Sequence, residues 1–287
     1  MDDAVLPGTS KFKHYNTQAP DTKRIFPLFS LKGKTAIVAG AGAGIGLAVV
    51  RGYAEAGANV IIWYNTNKEA ETRAKEIEEE FGVKCRAFSV DTTDPQAVDN
   101  AVTSQIKEFD DRLDVFVYNS GVAWTSGASI TGDLDNYHRV MKTNVDGLFY
   151  SARVVGRIWR EQKINGLPKF RGGSFIATAS MSGHIANFPQ LQTSYDASKA
   201  AVKHMCQNLA LEWVQFARVN SISPGYIATE LTTFIPEATK EVWRHMIPMG
   251  REGQPGELAA AYLFLASDAS SYCTGTDLLI DGKQEVQ

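Results

Sequence analysis

Cysteine is scarce. Cys85, Cys206 and Cys273 are odd in number, far apart in the 287 residues and without Cys-x-x-Cys spacing. This argues against a disulfide or zinc framework and for a reducing compartment, with the cytoplasm as the expected location. The five histidines show no ligand spacing, so no protein-bound metal is expected. Long hydrophobic runs are missing too. The longest, Leu258 to Ala266, falls well short of the ~18 residues a membrane-spanning helix needs, and it fits a buried helix. Met1-Asp2-Asp3 is acidic and leads into no hydrophobic segment, so no secretory signal is expected. A basic excess is also absent: 29 Lys and Arg stand against 32 Asp and Glu, for a net charge of -3. Nucleic acid and anionic membranes recruit such an excess, so neither is expected as the main partner.

What is present is enough apolar material, 44% of residues with 21% charged, to build a core. Residues 1–30, with Pro7, Pro20 and Pro27 and no periodic apolar pattern, read as an extended arm. It is either a floppy tail or a segment lying on the body or on a neighbouring subunit. Residues 31–287 show no repeat and no linker, and read as one domain. There, short β-branched runs alternate with longer amphipathic stretches. Strands are expected at Thr35–Val38, Asn59–Trp63, Cys85–Val90, Asp114–Tyr118, Ser174–Ala179, Arg218–Ile222 and Asp277–Ile280. Helices are expected after the first strand through about Ala56 and over Lys68–Phe81, with another beginning at Pro95 behind Asp94 as N-cap. Unbroken alternation predicts an α/β fold, a single doubly wound parallel sheet with helices on both faces.

Just after the first strand comes Ala39-Gly40-Ala41-Gly42-Ala43-Gly44-Ile45-Gly46. A glycine-rich strand-to-helix turn lets the backbone approach a pyrophosphate and aims a helix N-terminus at it. Gly42-x-Gly44 followed by Leu47 fails the Gly-x-Gly-x-x-Gly rule, whereas Gly40-x-x-x-Gly44-x-Gly46 fits the variant with a longer loop. Asp91, after the third strand, is placed either to hydrogen-bond an adenine ring or to cap a turn. Asn119-Ser120-Gly121, after the fourth, has small residues where a cofactor would pass close to the backbone.

The fifth strand runs into Ser180-Met181-Ser182-Gly183, and Tyr195-Asp196-Ala197-Ser198-Lys199 follows. Tyrosine and lysine at i and i+4 share one helix face. A free phenol, with a pKa of about 10, is a poor base at neutral pH; a nearby ammonium favours the phenolate. A serine hydroxyl can hold the substrate oxygen.

With these motifs in hand, residues 31–282 resemble a short-chain dehydrogenase/reductase with a Rossmann-like fold. The family's elements fall on Gly40, Gly44 and Gly46, on Asn119-Ser120-Gly121, on Ser180, on Tyr195 and Lys199, and on Pro224-Gly225. Its catalytic asparagine falls on Asn144 in Lys142-Thr143-Asn144-Val145. The most similar branch is that of fungal NADPH-dependent carbonyl reductases, sorbose reductases and mannitol 2-dehydrogenases. Ile62-Trp63-Tyr64-Asn65 and Pro189-Gln190-Leu191-Gln192 carry much of that likeness. The resemblance implies hydride transfer between NADPH and a ketone or ketose. Tyr195 would exchange the hydroxyl proton, Ser180 would bind the carbonyl oxygen, Lys199 would tune Tyr195 and grip the nicotinamide ribose, and Asn144 would hold a relay water. It also implies cofactor contacts from Ile45, Gly121, Ile227 and Thr229, and a homotetramer or dimer packed through the tyrosine helix. A 3-oxoacyl-thioester reductase and a catalytically silent NADP(H)-binding scaffold remain as alternatives.

Three departures stand out: Ala39 for threonine, Ser120 for alanine, and Asp281-Gly282-Lys283-Gln284 for the usual ending. The serine is open to two assignments. A spacing of thirteen residues before Tyr195 points to Ser182, while the strand end points to Ser180. At the end of the second strand, where NAD-preferring relatives carry an acid, stands Tyr64, with no acid before Glu69. Asn65, Thr66 and Lys68 are then expected to receive the 2′-phosphate of NADPH, or else they only make a turn and both cofactors serve. Trp124, His184 and Phe188 are candidates for the substrate pocket by position. Thr229–His245 is expected to form the lid.

Overall fold

The computed structural model describes residues 17–21, 23–230 and 236–283. Seven parallel strands form one sheet in the order β3-β2-β1-β4-β5-β6-β7. They are β1 (Thr35–Ala39), β2 (Asn59–Tyr64), β3 (Cys85–Ser89), β4 (Val115–Tyr118), β5 (Gly173–Thr178), β6 (Ala217–Pro224) and β7 (Asp277–Ile280). The helices are α1 (Gly44–Glu55), α2 (Glu69–Phe81), α3 (Pro95–Gln105), α4 (Leu134–Met141), α5 (Gly147–Ile164), α6 (Thr193–Trp213), α7 (Glu237–Met246) and α8 (Pro255–Ala266). All five residues of β1 and all four of β4 are buried, because helices cover both faces of these strands. Ile37, Phe116 and Phe175 join the core on one face; Val38, Val117 and Ile176, one residue on, join the core on the other. The doubly wound sheet predicted from alternation is therefore present.

Two local expectations, a cap and a buried run, hold in atomic detail. Asp94 caps α3 by accepting from the Gln96 and Ala97 amides at 2.8 and 3.3 Å. The apolar run Leu258–Ala266 lies within α8, where Leu258, Tyr262 and Leu265 are fully buried. Among the described residues no helix is long and apolar enough to cross a membrane, and no group of His, Cys, Asp and Glu side chains could hold a metal ion.

Residues 1–16 and 22 of the expected arm lie outside the described residues. Within the rest, the Ala19 carbonyl accepts from Arg171 at 3.4 Å, and the Phe29 ring lies 6.5 Å from that of Phe264 on α8. These contacts bring Ala19 and Phe29 against the body. In the expected lid, residues 231–235 lie outside the described residues, and α7 occupies its second half.

Chain order reverses where β1 meets β4, with Ala39 level with Tyr118. In such sheets a crevice opens at that point, beyond the carboxyl ends of the strands. The glycine turn leaves β1 there, Asn119 leaves β4 and Ser180 follows β5.

Candidate active site

The glycine turn is built for close approach. Gly40 has φ +72°, and a Cβ on it would lie 2.7 Å from the Ser120 amide nitrogen. A Cβ on Gly46, in the first turn of α1, would lie 2.4 Å from the Gly40 carbonyl oxygen and 2.7 Å from the Ala41 Cα. The Asn119 amide locks the turn, donating to the Gly40 carbonyl at 2.9 Å while its oxygen accepts from Thr178 at 2.9 Å. Thr178 in turn bonds the Tyr262 hydroxyl of α8 at 2.6 Å. Thr229 leans over the start of α1, its methyl 3.3 Å from where a Cβ on Gly44 would stand. This backbone cradle, kept free of side chains and opening at a helix N-terminus, fits a dinucleotide pyrophosphate.

At the adenosine side the structure refines the sequence reading. Tyr64 is buried and donates to Glu71 of α2 at 2.5 Å, so its hydroxyl is committed to that carboxylate. Asn65, Thr66 and Lys68 are exposed after β2, and the Asn65 carbonyl accepts from Ser89 at 3.0 Å. Asp91 makes a turn, accepting from the Thr93 amide and hydroxyl, each at 2.8 Å. Asn67 was not anticipated. It donates to the Gly42 carbonyl at 3.3 Å and so ties the end of β2 to the glycine turn, a contact between residues 25 apart that no local motif announces.

The chemical groups meet on α6. Lys199 is buried and donates to the Thr178 carbonyl at 2.8 Å, with its nitrogen 5.6 Å from the centre of the Tyr195 ring. Burial pushes its pKa down to about 8. The Ser180 hydroxyl lies close to that of Tyr195. Burial raises the Tyr195 pKa, the nearby Ser180 hydroxyl lowers it and the Asp196 carboxylate raises it. The net upward shift keeps its proton in place at neutral pH. Asn144 sits in a π-helical turn, Lys142–Asp146, between α4 and α5. Its amide accepts from the Val122 nitrogen at 2.9 Å and donates to the Val122 carbonyl and the Ser198 hydroxyl at 3.2 and 2.9 Å. The Asn144 oxygen and the Lys199 nitrogen converge over Gly121, each 3.4 Å from where a Cβ would be.

Ser180 and Ser182 are distinguished by their partners. Ser180 starts the single turn Met181–Gly183, accepts from the Ser182 amide at 3.1 Å and reaches Tyr195. Ser182 turns to the following loop, where Asn187 and Gln192 donate to it. Ser180 thus stands on the Tyr195 side of the turn and Ser182 on the side of the loop.

The substrate candidates separate as well. Phe188 is 69% exposed and lines a groove of about 440 Å³ with Ala238, Glu241, Val242, His245 and Met246 of α7. His184, by contrast, has both ring nitrogens engaged: Nε2 with Asp277 at 2.8 Å and Ser223 at 3.2 Å, Nδ1 with Lys203 at 3.3 Å. Trp124 donates to the Gly127 carbonyl at 2.7 Å, and its ring fills the space beside Gly132. The polar ring atoms of both are thus engaged within the protein. Pro224-Gly225 ends β6 against β7, where the Gly225 amide donates to Ile280 at 2.9 Å. Ile227 is buried and bridges to Gly253.

A family model described as Enoyl-(Acyl carrier protein) reductase matches residues 40–282. The L-xylulose reductase of Hypocrea jecorina is 57% identical, over 94% of this chain and 96% of its own. The NADP-dependent mannitol dehydrogenase of Alternaria alternata is 46% identical, over 92% and 96%. Among solved structures, the NADPH-dependent 3-quinuclidinone reductase of Rhodotorula rubra matches with a TM-score of 0.88 and 38% identity, covering 96% of this chain and 100% of that one.

Proposed function

The chain belongs to the short-chain dehydrogenase/reductase family, and we propose that it is an NADP(H)-dependent enzyme reducing a ketose to a polyol and, in reverse, oxidising the polyol. The observation that carries this is the Ser180–Tyr195 hydroxyl pair above buried Lys199, on the same sheet edge as the glycine cradle. Gly40, Gly44, Ile45, Gly46, Asn119 and Thr229 would hold the pyrophosphate and the adjoining ribose. Asn65, Thr66 and Lys68, exposed beyond β2, would meet the 2′-phosphate. When bound, NADPH supplies the hydride that turns the carbonyl carbon into a secondary alcohol. Ser180 orients the carbonyl oxygen by hydrogen bonding. Tyr195 gives that oxygen its proton, for which a raised pKa is the right state of preparation. Lys199 stabilises the phenolate left behind, and Asn144, meeting it over Gly121, marks the path by which solvent restores the proton.

The groove beside Phe188 supports a sugar. A phenyl face suits the C–H side of a carbon chain, while the Glu241 carboxylate and the His245 imidazole suit its hydroxyls. An acidic acyl carrier would be repelled by Glu241, which counts against the thioester reading despite the description of the family model. A silent scaffold would have no use for a serine, tyrosine and lysine brought together. Consumption of NADPH with L-xylulose, D-fructose and L-sorbose tests the reading; reduction of a 3-oxoacyl thioester with no ketose turnover would overturn it.

We also infer a homotetramer or homodimer. Support comes from apolar residues left on α5 and α6, Phe149 and Leu211, which are 49% and 56% exposed. A monomer by light scattering at micromolar concentration would refute this.

A further inference from the structure

The loop between Ser180 and Tyr195 is two residues longer than the commonest family spacing would require, and its stem has an unusual construction. The Ser182 hydroxyl accepts from the Asn187 side chain and, at 3.1 Å, from Gln192. The same Gln192 amide donates to the Asp196 carboxylate at 2.8 Å, and Ser182 and the Asn187 backbone lie near enough to Asp196 to favour its charged form. A half-buried carboxylate thus joins the loop to the first turn of α6 through Gln192. Between Asn187 and Gln192 lies Phe188, and Gln190 is fastened separately, accepting from the Tyr226 hydroxyl at 2.9 Å. Tyr226 stacks on buried Trp243 of α7, with ring centres 3.9 Å apart. The brace therefore sets where Phe188 stands against the lid helix.

We propose that Asp196 is a positioning residue with two effects: through Ser182, Gln192 and Asn187 it fixes the Phe188 wall of the substrate groove, and it holds a negative charge directly beside Tyr195. The proposal rests on the reading above only in taking Tyr195 as the proton donor and the groove as the substrate seat. The groups facing Asp196 from the loop and the serine turn are uncharged: Gln192, Asn187 and Ser182. Tyr195 itself faces Ser180, the Lys199 ammonium and this one carboxylate. A fixed anion opposes formation of a second anion nearby, so Asp196 delays ionisation of Tyr195 as pH rises.

Two variants separate the effects. Asp196→Asn keeps the shape and most of the hydrogen bonds but removes the charge. The pH above which kcat/KM for reduction falls should then move down by about half a unit or more. Gln192→Ala leaves the charge and loosens the loop, so KM for a ketose should rise several-fold with kcat within about twofold and NADPH affinity unchanged. A purely structural role would instead lower activity evenly in both variants without moving the profile or splitting KM from kcat, and that result would overturn the proposal. So would a pH profile of Asp196→Asn that superimposes on the wild type. Should Asp196→Asn fail to fold, an unchanged ketose KM in Gln192→Ala would still refute the brace. If the wild type reduces an aryl ketone and no ketose, the ketose reading fails, while the pH comparison runs unaltered on the aryl ketone.

Discussion

Gly42 and Gly46 stand four residues apart in one phosphate turn, yet the structure assigns them opposite tolerances. A Cβ on Gly46 would meet the Gly40 oxygen, the Ala41 Cα and the Asn119 side-chain nitrogen at 2.4, 2.7 and 2.8 Å. Two of these three are backbone atoms, which cannot swing aside. Relief requires widening the turn, at about 1–3 kcal/mol for overpacking and about 1 kcal/mol for the strained Asn119–Gly40 bond. Replacing glycine by alanine within a helix returns at most about 1 kcal/mol. Gly46→Ala should therefore cost about 2 kcal/mol and lower the apo melting temperature by about 3 °C. It should also weaken NADPH binding at least about tenfold, equivalent to about 1.4 kcal/mol, because the amides that face the pyrophosphate are spread. A Cβ on Gly42 would meet the Asn67 side chain at 3.3 Å and Tyr64 Cβ at 3.5 Å, a crowding that Asn67 relieves by a shift of a few tenths of an ångström. Gly42→Ala should cost less than about 1 kcal/mol in the apo protein. Thermal melts without cofactor and fluorescence titration with NADPH read both quantities. Equal melting temperatures for the two variants, or the reverse order, would refute the geometric argument.

What was legible in the sequence follows from how far apart the partners lie. Strands buried on both faces betray themselves as apolar runs, so Thr35 to Val38 and Asp114 to Tyr118 could be placed within a residue or so. The edges drift where polar residues continue a strand: β6 extends through Ser223 and Pro224 because β7 pairs with them. Tyr195 and Lys199 were readable because a helix guarantees that i and i+4 share a face. Asn144 was found by resemblance, and nothing local announces its π-helical turn. Choosing between Ser180 and Ser182 needed the loop, since their difference lies in bonds to Asn187 and Gln192. His184 looked like a pocket residue because it follows the serine. Its ring is instead drawn to Asp277, 93 residues away on β7, a partner with no signature in sequence. Tyr64 stands where NAD-preferring relatives carry an acid, and the missing acid there accords with the NADP-dependent relatives. Its hydroxyl, however, goes to Glu71 on the next helix.

Tyr195→Phe should abolish turnover while leaving NADPH affinity nearly intact, since only the proton donor is lost; appreciable steady-state activity would contradict its role. Ser180→Ala should cost far more kcat than Ser182→Ala, whose loss should appear mainly in ketose KM, and the opposite order would restore the thirteen-residue spacing as the guide. Tyr64→Asp should raise the NADH-to-NADPH ratio of kcat/KM by supplying the ribose acceptor and repelling the 2′-phosphate; an unchanged ratio would show that the end of β2 does not select the cofactor. The last prediction concerns Lys199, whose pKa burial lowers to about 8 in the cofactor-free protein. Below that pH the ammonium is charged and attracts the anionic dinucleotide; above it the amine is neutral and keeps only its hydrogen bonds. NADPH affinity should thus be highest below about pH 8 and fall as pH rises through it. Binding should in turn raise the lysine pKa, because the ligand prefers the charged form. Lys199→Met should bind more weakly at pH 7 and lose this dependence, so that the two proteins converge in affinity towards pH 10. Titrations across that range in which wild type and variant fall in parallel would show that another group carries the effect.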